Sequence, residues 1–217
     1  MSYESLIKIS GSSSIGAGVV IILTRVSQVA LFGDLPLSVH GADPRFLPMV
    51  GIPGLIGSIL FLLGLIGLYA VQASQAGKFG LVAFLFAFFG MSLALGANWA
   101  YAFGSPYLAT TAPALLDADF DSLEWGVFGV GFLYSYLIGG VGYMVFAVST
   151  ILARVVPAWI GLAMLLSMLL AAILPVGTVG APSILLNVLM GIGPILFGIW
   201  LWRAGSLVPR VQDVGAA

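Results

Sequence analysis

Few side chains in this sequence could do chemistry, and they stand in small groups. The one histidine, His40, shares a proline-bearing segment with Asp34 and Asp43. Imidazole and carboxylates are ordinary metal ligands, yet a lone histidine in such a loop is better read as one that hydrogen-bonds its surroundings. Asp117, Asp119 and Asp121 alternate as the start of a calcium loop does. The pattern then fails, because Ser122 stands where the glycine of the sharp turn belongs and Phe128 where the bidentate glutamate belongs. Asp121 and Glu124 fit instead a capping box at the start of a helix, with their carboxylates at the positive end of its dipole. No metal site is expected from either group. The absence of cysteine removes thiolate ligands, and a single histidine excludes a bis-histidine haem within the chain. The Gly-x-Ser-x-Gly, His-Glu-x-x-His and Gly-x-x-x-x-Gly-Lys motifs are missing, and the usual pairs of nucleophile and base cannot be assembled. No catalytic residue is therefore expected, and the chain reads as a non-enzyme.

A second group consists of polar side chains inside apolar runs. Arg25, Asn98 and Asn187 should lie at similar depth, where they could orient a ligand, with Glu124 near the mouth. The competing explanation is interhelical hydrogen bonding beside a snorkelling arginine. Phe128, Phe132, Tyr136 and Tyr143 recur at helical spacing beside Gly139, Gly140 and Gly142, a stripe that could take a flat or long apolar ligand or simply pack on its neighbours. Pro194 should free the carbonyl of Met190 and bend its helix. The ligand-pocket candidates are thus Arg25, Asn98, Glu124, Tyr136, Tyr143 and Asn187, with no cofactor specified.

The elements that must hold these residues are membrane helices. With 61% hydrophobic and 7% charged residues and a mean hydropathy of +1.17, the chain cannot cover itself with polar surface. Soluble domains carry about 25% charged residues. Uncharged stretches run from Phe46 to Gly77, Phe79 to Leu116, Trp125 to Ala153 and Val155 to Trp202, and a crossing needs about 20 residues. The last stretch holds two crossings, divided at Pro175-Val-Gly-Thr-Val-Gly-Ala-Pro182. The first crossing ends near Arg25, about 25 Å from Lys8 along a helix, so each charge can reach its own interface. A cleaved signal peptide is not expected, since the region around Ala30 lacks a small residue at the minus-three position.

The expected fold is an all-α, polytopic transmembrane bundle forming one domain over 1–217, with helices at about 8–32, 49–73, 79–103, 123–152, 157–175 and 182–204. Lys8, Lys78, Arg154, Arg203 and Arg210 fall at one end of this map. Asp34, Asp43, Asp117, Asp119, Asp121 and Glu124 fall at the other. The positive-inside rule then makes both termini cytoplasmic. Aromatic residues agree, with Trp99, Tyr101, Phe103, Tyr107 and Trp125 at the outer interface and Trp159, Trp200 and Trp202 at the inner. No Asp, Glu, Lys or His falls in the middle of an expected helix, which argues against proton coupling, ion pumping and voltage sensing. A net charge of −1 argues against a nucleic-acid partner.

Small residues recur four apart, Ala83 with Ala87, Gly90 with Ala94 and Asn98, Ser12 with Gly16 and Ser14 with Gly18, and should let helices approach closely. The segment 65–86 is echoed in 140–165, each running down a helix, through a short basic turn and back. The Gly-Leu-Tyr-x-x-Gln pattern at Gly67–Gln72, the step at Gly77–Leu81 and Arg-x-x-Pro-x-Trp-x-Gly-Leu at Arg154–Leu162 resemble small polytopic membrane proteins of bacteria. The resemblance implies a six-span bundle and supplies no catalytic residues. The function expected is that of a non-enzymatic subunit, accessory or scaffold of a larger complex in a bacterial cytoplasmic membrane. Its partners would be the bilayer, other membrane proteins, and a lipid, quinone or pigment. A small-molecule transporter or substrate-binding component is the alternative, and a lipid-modifying enzyme using the outer carboxylates comes third.

Overall fold

A computed structural model describes residues 2–33, 35–117, 126–173 and 181–207, nearly all of them helical, with no strand among them. Asp34, Asp119, Asp121, Ser122, Glu124 and the side chains of Phe128 and Asn187 lie outside what it describes.

Helix α1, Tyr3–Phe32, starts ahead of the expected residue 8 because its first turn is locally satisfied. The Ser2 hydroxyl accepts from the Ser5 N–H at 3.2 Å, and Glu4 pairs with Lys8 at 2.5 Å, a cap and an i,i+4 ion pair that hydropathy does not register. Gly33, at φ 55, ends the helix and donates to the Val29 carbonyl. A short α2, Leu37–Ala42, follows, then one wide turn of π-helix, Leu47–Gly51. Pro36 cannot cap α2. The Asp117 carboxylate does so from far along the chain, accepting from Ser38 N at 2.9 Å and from Ser38 Oγ at 2.5 Å.

The helical run Ile52–Thr111 is 60 residues long and, if straight, would reach about 90 Å. It folds back on itself at Gly77, whose φ of 58° and ψ of −157° lie in a region open to glycine alone. Residues 52–76 form α3 and 78–111 form α4. Across the hairpin Tyr69 stacks on Phe84 at 4.3 Å, and Asn98 reaches Ser58. Helix α4 outruns its expected end at 103 by continuing through Pro106. Then come α5 (Pro113–Asp117), α6 (Gly126–Ala153), α7 (Ala158–Ile173) and α8 (Ala181–Leu207), the last with Pro194 inside it.

Successive long helices pack antiparallel, and α8 returns to α1 to close the set. Their backbones meet where side chains are smallest. A Cβ at Gly18 would stand 2.3 Å from the Gly191 carbonyl, one at Gly90 would stand 2.7 Å from Gly139 Cα, and one at Gly142 would stand 2.7 Å from the Phe86 carbonyl. Ser14 with Gly18 is the packed pair on α1, whereas Ser12 is exposed. The core is aromatic and aliphatic, with Phe61 against Tyr143 and Phe197, and with Leu65, Leu68, Phe146, Ile160 and Met164 around them. A smaller cluster of Phe32, Phe46 and Val50, with Tyr101 against it, lies under α2. Among the described residues, Tyr3–Phe32, Leu47–Thr111 and Val130–Ala153 are long and apolar enough to cross a membrane, and Ala158–Leu170 and Val188–Ala204 are shorter apolar helices.

Candidate functional site

Polar side chains from four helices meet in the half of the bundle nearer α2. On α1, Arg25 and Gln28 are one turn apart, and an Arg25 guanidinium N–H donates to Gln28 Oε1 at 2.8 Å. Gln28 Nε2 in turn donates to the Tyr101 hydroxyl at 3.3 Å. Asn98 and Tyr101 share a face of α4 through i,i+3 spacing. Asn98 Nδ2 donates to Ser58 Oγ of α3 at 3.0 Å, and the Tyr136 hydroxyl of α6 donates to Asn98 Oδ1 at 2.7 Å. Phe132 lies between Tyr101 and Tyr136, with ring centroids 6.2 and 5.1 Å away, and Phe46 meets Tyr101 edge-on at 5.2 Å.

The orientation of the Asn98 amide follows from its partners. Ser58 gives its proton to the Gly54 carbonyl at 2.9 Å, so its oxygen must accept, and only the amide nitrogen can supply that bond. Tyr136 then faces the amide oxygen and must donate. Tyr101, which accepts from Gln28, keeps its own proton to give. Arg25 has five N–H donors in all and Asn98 has two. The constellation is therefore rich in donors and suits an anionic or strongly accepting head group. Helices α1 and α6 share no extensive interface, and Arg25 is linked to Tyr136 through Gln28, Tyr101 and Phe132. Tyr136 keeps 38% of its surface and Arg25 is exposed, so both stand at the accessible edge of the cluster.

Three sequence candidates, Arg25, Asn98 and Tyr136, are thus brought together. Tyr143 is placed elsewhere. It lies on the same helix about 10 Å deeper, 1% exposed and packed on Phe61, with a hydroxyl that has no hydrogen-bond partner. Pro194 falls between Gly191 and Gly198, the two glycines that meet α1. Gln28, Tyr101 and Ser58 were not singled out from sequence as site residues, although Gln28 is one turn from Arg25 and Tyr101 one turn from Asn98. A second buried polar pair, Gln72 Nε2 to Thr150 Oγ1 at 3.1 Å, ties α3 to α6 near the opposite end.

The loop histidine also differs from expectation. His40 is 5% exposed, both its nitrogens lack a close hydrogen-bond partner, and it packs on Phe32 with centroids 4.8 Å apart. Burial pushes its pKa below the ordinary value, while the Leu35 backbone and the Asp117 carboxylate pull the other way. Asp43 is taken up by Arg45, whose guanidinium and backbone N–H hold its carboxyl down at about 2. Comparison with protein-family models, characterised proteins and solved structures found no match to this chain, and its function is argued from the site.

Proposed function

We propose that this chain is a non-enzymatic subunit of a bacterial cytoplasmic membrane, crossing it six times with both termini cytoplasmic, that holds the head group of a small anionic amphiphile at the Arg25–Asn98–Tyr136 cluster. The observation that carries the reading is the donor-rich cluster drawn from α1, α3, α4 and α6, in which Arg25 and Tyr136 keep accessible surface. Tyr101 and Phe132 give the apolar body of such a molecule an aromatic wall, backed by the buried Phe46. The six-span topology is supported by the antiparallel order of six long helical segments and by Lys8, Lys78, Arg154 and Arg203 falling at one end of them. Exposed apolar side chains such as Val82, Phe89 and Leu185 suit contact with lipid and with other membrane proteins.

A carrier is the second reading. It is favoured by the wide turn Leu47–Gly51, which enters α3 beside Ala102 of α4, because widened turns recur at functional sites.

The test is purification from native membranes in mild detergent, with mass spectrometry of the proteins and small molecules that accompany the chain. An acidic amphiphile should accompany the wild type and fall about tenfold or more in Arg25→Gln, the loss expected for a hydrogen bond to a charged group. Asn98→Leu should lose it too while still eluting as a folded protein. A chain that carries no small molecule, or an Arg25→Gln variant that carries it undiminished, would overturn the proposal.

A further inference from the structure

Among the described residues, Arg154 is the one non-glycine with a left-handed backbone, at φ 56. It forms the turn from α6 to α7, at the same end of the bundle as the α3–α4 turn, where a positive φ falls to Gly77. Glycine escapes the clash between Cβ and the following carbonyl that an L-residue meets there. An arginine here takes the left-handed turn that ends α6, a place more often given to glycine. Arg154 stands on the wall of a cleft of about 390 Å³, together with Ile151, Val155, Pro157, Ala158 and Trp200. Sites for small ligands run from about 300 to 1,000 Å³.

The lining sorts by chemistry. Arg154 supplies a cation at the end of α6, Trp200 supplies an amphipathic ring of the kind found at head-group depth, and Ile151, Val155 and Pro157 supply an apolar wall. We propose that this cleft takes the phosphate of an anionic phospholipid from the leaflet that faces the basic end. A guanidinium pairs with phosphate through parallel N–H donors, and the aliphatic wall and the indole lie where the glycerol and the first acyl carbons would follow. Lys78 at the same end adds to the attraction for an anionic leaflet. The inference rests on the chain being a membrane protein and is independent of the Arg25 cluster.

The experiment is native mass spectrometry of the full chain, reconstituted in bilayers of mixed phosphatidylglycerol and phosphatidylcholine. Phosphatidylglycerol should remain bound in preference to phosphatidylcholine. Arg154→Gln should reduce that preference about fivefold or more, the share one basic residue holds at an anionic surface. Arg154→Lys should retain most of it, and Arg25→Gln should leave it unchanged. Arg154→Gly should melt at a higher temperature than the wild type, since it relieves the backbone, and should lose the lipid. It also provides the loss-of-charge variant if Arg154→Gln does not fold. Equal retention of both lipids, retention undiminished in Arg154→Gln or Arg154→Gly, or displacement by millimolar inorganic phosphate alone would overturn the assignment to a phospholipid.

Discussion

Asn98 ties three helices through one amide, and each bond depends on the next. Tyr136→Phe removes the donor to Asn98 Oδ1 while keeping the ring against Phe132. Interhelical hydrogen bonds in membranes average about 0.6 kcal/mol, so the variant should melt only slightly lower yet lose the accompanying amphiphile, read by thermal unfolding and mass spectrometry of one preparation. His40 gives a different signature. Its folded pKa is depressed by burial, so the unfolded chain binds the proton more readily. The stability this contributes is complete above the ordinary value of 6.5 and is lost as the pH falls through the folded value. Melting temperature should therefore drop between pH 7.5 and 5.5, and His40→Leu should flatten that drop. An equal slope in both proteins would refute the assignment. Arg25 and Asn98 were legible because a polar atom in an apolar run stands out, and Tyr136 because it belongs to an aromatic stripe at helical spacing. Gln28, Tyr101 and Ser58 were not: a tyrosine near an interface reads as part of the aromatic belt, and a helical serine can satisfy itself on its own carbonyls. Tyr143 resembled Tyr136 because seven residues, two turns, return it to the same face.

For the helices, the decisive residues are the smallest. Gly18→Ala must push α1 away from Gly191 and Ile195 of α8, which should cost about 1–3 kcal/mol by overpacking. Gly96→Ala, at a position with nothing within 4 Å, should be neutral or slightly stabilising, since alanine is the better helix former. Equal melting of the two variants would mean that α1 and α8 do not meet as described. Gly77→Ala should cost about 1–3 kcal/mol, because its backbone conformation excludes a side chain. Hydropathy located the long helices well, and the basic turn at Gly77–Lys78 marked the hairpin. Ends were misplaced where capping decides them, at Ser2, or where a helix tolerates a proline, at Pro106. Helix α2 left no periodic signal, since six residues are too few for one and its cap comes from Asp117, far along the chain.

The whole chain can be mapped from either side without preparation, because it has no cysteine to remove. Single substitutions Ser38→Cys, beside Asp117, and Ala158→Cys, at the start of α7, should react with a membrane-impermeant maleimide from opposite faces of the bilayer. Ser38→Cys should be labelled in intact cells and Ala158→Cys only after lysis. The reverse pattern would invert the proposed topology, and labelling of both from one side would sink the six-span count. One further consequence lies in the seam between α1 and α8. Among the described residues, the other closest glycine contacts between long helices join neighbours in sequence, so each of those hairpins can form as it leaves the insertion machinery. The seam joins the first long helix to the last. Until α8 emerges, α1 must wait in the lipid with Gly11 and Gly18 uncovered. A nascent chain stalled before residue 181 would leave that face of α1 without its helical partner.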